Sequence, residues 1–259
     1  MPESDATLIA DAVLAAGAVA LRYWRINPKS WEKPDGTGPV TEADIAVNDL
    51  LHASLRTARP AYGWLSEETP DSQARLATQR CFILDPIDGT RAFMAGEAHF
   101  AVSLAVAEAG TVTAAAIYLP ALDLLYTASK DGAALRNGHP IRCAASPLQG
   151  ATLLCSRPVM APENWRSPPP VTRHFRASLA YRMCLVAEGS FDAMLTLRPT
   201  WEWDVAAGVL IAECAGALVT DRRGAALAFN RAEPLVDGML VAGQTVHQGL
   251  AGLLAPPTP

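Results

Sequence analysis

The 259-residue sequence contains no Cys-x-x-Cys pair, no block of basic residues and no apolar run long enough to cross a bilayer. Each absence removes a class of protein. The five cysteines, Cys81, Cys143, Cys155, Cys184 and Cys214, are odd in number, scattered, and flanked by apolar neighbours. They read as reduced residues in or near a core, not as a disulfide framework. The five histidines are equally dispersed, so neither zinc-ligand spacing nor a Ser-His-Asp arrangement is legible locally. With 21 basic and 26 acidic residues the formal charge is −5, which argues against direct nucleic-acid binding. Apolar stretches are broken by Glu, Gly, Pro or Asp before the roughly 20 residues that span a membrane. The N-terminus carries Asp5 and Asp11 among its alanines and has no basic leader, so it reads as a helix and not a signal peptide. A cytoplasmic protein with no membrane partner is expected.

Half of the residues are apolar, enough for one large α/β core. Helical spacing of Leu8, Ile9, Ala12, Val13, Ala16, Val19 and Ala20 predicts a helix over 5–25, and a second is predicted over 41–57. A Pro/Gly-rich loop, 33–39, separates them. Cys81-Phe82-Ile83-Leu84 reads as a buried strand ending at Asp85, followed by strands near 100–107, 111–118 and 123–129. Further on come a helix over 178–189, a strand over 191–197, an Ala-rich helix over 204–216, a strand over 238–242 and a helix near 245–254. Strands and helices alternating in blocks predict stacked layers. No linker divides the chain, so one unit over 1–259 is expected. Its metal-binding half covers about 1–145, and a second half, about 146–259, contributes Asp204 and specificity.

The chemistry is carried by acids. In Asp85-Pro86-Ile87-Asp88-Gly89-Thr90 the first carboxylate ends a buried strand, where it is expensive unless it meets a cation. A tight glycine turn can return Asp88 beside Asp85 and free the Ile87 carbonyl, giving three oxygen ligands of the kind magnesium prefers. If a helix starts at Gly89-Thr90, its free amides face a phosphate. A polar β-turn would explain Asp-Gly alone. The two-aspartate signature of haloacid-dehalogenase phosphatases does not fit, because the spacing here is three and Thr90 stands where a second aspartate is needed. Glu67-Glu68 precede the strand and Asp204 opens an apolar helix, a place also explained by the helix dipole. Thr41 and Asp44 form a T-x-x-D pattern that a capping box would explain.

The ordered series V-T-E-A-D (40–44), S-E-E (66–68), D-P-I-D-G-T (85–90) and W-D-V-A-A-G (203–208) resembles the inositol monophosphatase superfamily across nearly the whole chain. The resemblance implies a layered αβαβα sandwich of the inositol monophosphatase and fructose-1,6-bisphosphatase type, with two or three Mg²⁺ ions. It implies Glu67, Asp85 and the Ile87 carbonyl as ligands of one metal, and Asp85, Asp88 and Asp204 as ligands of another. Thr90 with Asp44 is implied as the pair that activates water, Glu67 as a further catalytic residue, and the Gly89 and Thr90 amides as the phosphate cradle. Lithium inhibition and attack by water without a phosphoenzyme follow from the same likeness.

Leu65-Ser66-Glu67-Glu68, Leu185-Val186-Ala187-Glu188-Gly189, Ser156-Arg157 and Pro199-Thr200 look closer to bacterial 3'(2'),5'-bisphosphate nucleotidases, which convert 3'-phosphoadenosine 5'-phosphate to AMP. On that likeness Asp88, Gly89, Thr90, Arg157 and Asp204 are expected to contact substrate, Arg157 through a second phosphate or the ribose. The S-R-P-V at 156–159 departs from the S-R-S-H of those enzymes, and Arg91-Ala92-Phe93 is also seen in histidinol-phosphate phosphatases. The expected partner is thus a small phosphorylated nucleotide, inositol or amino alcohol. Inositol monophosphatase, histidinol-phosphate phosphatase, sugar bisphosphatase and a non-catalytic role beside the transcription machinery stay open, as does a homodimer.

Overall fold

In the computed structural model, residues 3–256 are described except 34, 35 and 37. Pro34, Asp35 and Thr37 of the predicted 33–39 loop therefore lie outside the described residues. α1 (Asp5–Tyr23) opens where the Ser4 hydroxyl accepts the Thr7 amide. A short hairpin, β1 (Ser30–Glu32) and β2 (Pro39–Thr41), leads into α2 (Glu42–Ala58), which begins with the predicted Thr41/Asp44 capping box.

Next come β3 (Gly63–Ser66), β4 (Arg80–Asp88), the one-turn α3 (Thr90–Met94), β5 (Ala101–Glu108), β6 (Thr111–Leu119), β7 (Leu124–Ser129), β8 (Leu135–Arg136) and β9 (His139–Pro140). These strands form a seven-stranded sheet in sequence order, antiparallel except for the parallel pair β3 and β4. The remainder contains β10 (Thr152–Leu154), β11 (Thr172–His174), α4 (Leu179–Ala187), β12 (Ala193–Trp201), α5 (Glu202–Cys214), β13 (Leu218–Thr220), β14 (Leu235–Ala242) and α6 (Gln244–Leu253). Its five strands form a second sheet in the order β11-β10-β12-β14-β13.

Side-chain alternation assembles these parts. Along β4, Phe82 and Leu84 pack with Ile9, Val13, Val47 and Leu51 of α1 and α2, while Cys81 and Ile83 join the cluster of α4 and α5 on the opposite face. A strand buried on both faces is apolar at every position, which is why 81–84 reads as a continuous apolar run. α5 is apolar around most of its circumference because it lies between two sheets, meeting Ala105 and Ala115 of one and Met239 and Val241 of the other. Gly208 lets α4 and α5 approach closely, since a Cβ there would stand 2.6 Å from the Met183 sulfur. α6 covers the far face of the second sheet through Val246 and Leu250. The layers run α1/α2, seven strands, α4/α5, five strands, α6, the expected αβαβα sandwich.

Contrary to the sequence reading, α1 is by length and composition apolar enough to cross a membrane, because its two acids, Asp5 and Asp11, do not outweigh its alanines, leucines and valines; here Ile9, Val13, Ala16 and Ala20 are buried against the sheet. Several boundaries differ from the sequence reading, three of them near the site. β4 continues past Asp85 to Asp88 through a register shift that accommodates Pro86. β12 runs to Trp201, beyond the expected 197, because it pairs with β14 again after a bulge between Thr196 and Pro199. α5 consequently starts at Glu202, two residues before the predicted start, and Asp204 falls within its first turn.

Candidate active site

The irregular end of β4 presents Asp85, Ile87 and Asp88 in sequence. Asp85 is 1% exposed and its Oδ1 accepts the Ile87 amide at 3.0 Å. Gly89 then turns at φ +99°, where a Cβ would lie 3.1 Å from the His99 carbonyl oxygen. Only glycine suits both the angle and the space, and α3 starts directly after it. Glu67 follows β3 and reaches the same end of the sheet because β3 runs parallel to β4; its amide donates to the Leu84 carbonyl at 3.2 Å.

Helix N-termini supply the rest. Asp44 lies in the first turn of α2 and Asp204 in that of α5. Asp88 is gripped by the start of α4, where Ser178 Oγ and the Ala180 amide both donate to Oδ2 at 2.6 Å. The positive ends of these helices thus face the negative charge. A cavity of about 730 Å³ opens here, lined by Glu67, Asp85, Ile87, Asp88, Gly89, Thr90 and Asp204. Asp44 is fully buried behind Thr90, whose hydroxyl lies 3.2 Å from Asp44 Oδ1 and 3.1 Å from the Ile87 carbonyl. The Thr41 amide and hydroxyl donate to Asp44 Oδ2 at 2.8 and 2.6 Å. One aspartate is therefore both helix cap and site residue.

The acids are poorly compensated. Burial, then Glu67, Asp88 and Asp204, pushes the Asp85 carboxyl well above the usual range. Burial, then Asp88 and Glu67, does the same to Asp204. Asp88 is also raised by burial, against the bonds from Ser178 and Ala180. Burial lifts Asp44 to about 6 and Glu68 to about 7. The one ammonium bound to this group is Lys33, whose Nζ lies 2.7 Å from both Glu67 Oε1 and Glu68 Oε1. Burial would pull Lys33 down, but the two glutamates outweigh it and raise its pKa.

Among the described residues, no three Asp, Glu, His or Cys side chains are close enough to hold a metal as they stand. The donor set is nonetheless suited to a hard divalent cation. It consists of carboxylates and one carbonyl, buried at Asp85, Ile87 and Asp88 and half-buried at Glu67 and Asp204, with Lys33 on Glu67.

The sequence-derived acids thus meet at one cavity, together with the Ile87 carbonyl and the Gly89-Thr90 turn. Arg157 does not join them. It is exposed in a 3₁₀ turn, Arg157–Met160, and only its neighbour Ser156 lines the cavity. Positive charge at the cavity comes instead from Arg182 and Arg198, with Lys33 and Arg91; sequence reading missed Arg182, Arg198 and Lys33, as it missed Ser178. Arg182 is 6% exposed, on α4. An arginine inside the apolar series Leu179-Ala180-Tyr181-Arg182-Met183-Cys184 was the available signal. Glu202, two residues before Asp204, is fully buried and does not line the cavity.

The profile of the inositol monophosphatase family matches residues 2–256. The 3'(2'),5'-bisphosphate nucleotidase CysQ of Salmonella typhimurium is 32% identical over 231 residues, covering 86% of this chain and 92% of that protein. The inositol-1-monophosphatase of Rhizobium meliloti is 31% identical over 231 residues, covering 85% and 84%. Among solved structures, the Thermotoga maritima IMPase superposes with a TM-score of 0.82 at 25% identity, covering 95% of this chain and 94% of that one. Motif order, layer order and these likenesses agree: this chain belongs to the inositol monophosphatase family and is a phosphoric monoester hydrolase.

Proposed function

We propose that the chain is a Mg²⁺-dependent 3'(2'),5'-bisphosphate nucleotidase, releasing phosphate from 3'-phosphoadenosine 5'-phosphate to leave AMP. The observation that carries this reading is Arg182. Its Nε donates to the Arg176 carbonyl at 2.6 Å and an Nη to the Ala177 carbonyl at 3.3 Å, and its guanidinium lies 4.6 Å from the Phe175 ring centroid. Among the described residues no carboxylate forms an ion pair with it, and burial lowers its pKa. A buried guanidinium without an anion is costly, and a second phosphate would supply that anion with bidentate geometry. Arg198 adds charge on the same cavity, and Phe175, 49% exposed at its wall, offers a flat apolar face for a purine. A volume of about 730 Å³ accommodates a nucleotide.

Glu67, Asp85, Asp88, Asp204 and the Ile87 carbonyl would hold magnesium, two or three ions by family likeness. The chemistry magnesium supplies when bound is positive charge at the phosphoryl oxygens and a lowered pKa for water. The protein's own part is positional. The Gly89 and Thr90 amides orient a phosphate. Thr90, donating its hydroxyl hydrogen to Asp44, turns its oxygen toward a water and relays that water's proton to the buried carboxylate. Lithium sensitivity and a cytoplasmic setting belong to the same reading.

The test is a phosphate-release panel with 3'-phosphoadenosine 5'-phosphate, inositol 1-phosphate, histidinol phosphate and fructose 1,6-bisphosphate, with Mg²⁺ and with added Li⁺. The bisphosphate nucleotide should give the highest kcat/KM, and Arg182→Met should raise its KM about tenfold or more while sparing inositol 1-phosphate. A preference for inositol 1-phosphate unaffected by Arg182→Met would favour the inositol monophosphatase reading.

A further inference from the structure

An ionic chain, exposed at Asp71 and buried at Arg75 and Glu202, runs behind the cavity without lining it. Arg75, in the short 3₁₀ helix Gln73–Ala77 and 2% exposed, donates Nε and Nη2 to the two Asp71 oxygens at 2.7 and 2.9 Å. Its Nη1 donates to Asn230 Oδ1 at 2.7 Å, and Nη2 also donates to the Arg231 carbonyl at 2.8 Å. The amides of those two residues donate in turn to Glu202, Asn230 to Oε2 at 2.6 Å and Arg231 to Oε1 at 3.0 Å. Glu202 is 0% exposed, and its own amide donates to the Pro234 carbonyl at 2.9 Å.

The ends of this chain are informative. Asp71 belongs to the segment that carries Glu67 out of β3, and Glu202 opens the helix turn that carries Asp204. Those two acids come from parts of the sequence more than a hundred residues apart, and no direct bond joins them. Charged groups buried as deeply as Arg75 and Glu202 are costly unless fully bonded, and the bonds here connect one acid-bearing segment to the other. We infer that Glu202 is a positioning residue, which through the 229–234 loop and Arg75 sets the separation of Asp204 from Glu67 and so the affinity of the cluster for its divalent ion. The inference rests on the reading of those two acids as metal ligands.

The experiment is Mg²⁺ titration of the full chain by calorimetry, beside Mg²⁺-dependent kinetics and melting in EDTA. Glu202→Ala should weaken Mg²⁺ binding about tenfold, the lower end of what loss of a ligand-supporting contact costs, with kcat at saturating Mg²⁺ retained within a few-fold. Glu202→Gln, which keeps one acceptor oxygen, should recover part of the affinity. A Glu202→Ala protein that melts earlier in EDTA yet binds Mg²⁺ like the wild type would overturn the inference, since the network would then serve stability alone. If Glu202→Ala does not fold, Asn230→Gly decides. Asn230 sits at φ +58°, so glycine keeps the turn and removes only the two side-chain bonds to Arg75; unchanged Mg²⁺ affinity there overturns the inference equally. Asp204→Asn separates the two levels. If it binds Mg²⁺ as tightly as the wild type, the metal reading fails and this inference with it. If it is weakened while Glu202→Ala is not, this inference alone fails.

Discussion

Ser178 donates its hydroxyl hydrogen to Asp88 at 2.6 Å while accepting the Tyr181 amide at 2.9 Å, so one side chain caps α4 and fixes a carboxylate 90 positions earlier in the sequence. Because Oδ2 of Asp88 is committed to α4, only its other oxygen is free for a ligand. Ser178→Ala should therefore do two things. Loss of the cap should cost about 1 kcal/mol of stability by denaturant melt, and loss of orientation at Asp88 should lower kcat about tenfold or more.

Thr90 tests the proton route. Its hydroxyl is placed between Asp44 and the Ile87 carbonyl. Thr90→Ala should reduce kcat about 10²-fold or more with KM nearly unchanged, the pattern of an interaction made in the transition state. Thr90→Ser, which keeps the hydroxyl, should retain most of the turnover.

The buried acids oppose folding when no cation compensates them. Asp85→Asn should abolish turnover yet raise Tm in EDTA, because it removes a carboxyl from a deeply buried position crowded by other acids and removes no apolar contact. A fall in Tm of the EDTA-treated variant would contradict this account.

If Glu67 is a metal ligand as proposed, Lys33 competes with the divalent ion for it. Replacing it with methionine frees both glutamates from the ammonium and should tighten Mg²⁺ binding in calorimetry about tenfold, equivalent to about 1.4 kcal/mol. Weaker binding would mean that the ammonium does not obstruct the metal.

A histidine remote from the cavity should govern part of the acid sensitivity. Burial lowers the pKa of His247, whose Nε2 lies 3.0 Å from the Thr220 hydroxyl. In the unfolded chain the ring gains a proton near pH 6.5. Its contribution to stability is thus complete above that pH and lost as the pH falls toward the depressed folded value. Tm measured from pH 7.5 to 5 should fall more steeply in the wild type than in His247→Asn.

Local physics made much of this legible beforehand. Thr41 and Asp44 announce a helix start because capping needs only residues three apart, and the helix expected over 41–57 is found as α2. The apolar run 81–84 is legible because it is buried on both faces, and it stops at Asp85, where β4 becomes irregular before ending at Asp88. The boundary error at β12 has a tertiary origin. Pro199 would normally end a strand, but pairing with β14 resumes after the bulge and carries the extended backbone to Trp201.

By themselves, the residue types and their order determined the layered fold, the family and the acids of one cluster, since caps, periodicity and the D-P-I-D-G-T turn act over a few residues. Only the tertiary structure decided that Ser178 holds Asp88, that Lys33 lies against Glu67, that Glu202 reaches Asn230 and Arg231, and that Arg182 rather than Arg157 lines the cavity. Burial and charge compensation depend on which distant segments the folded chain brings together. No local pattern records that.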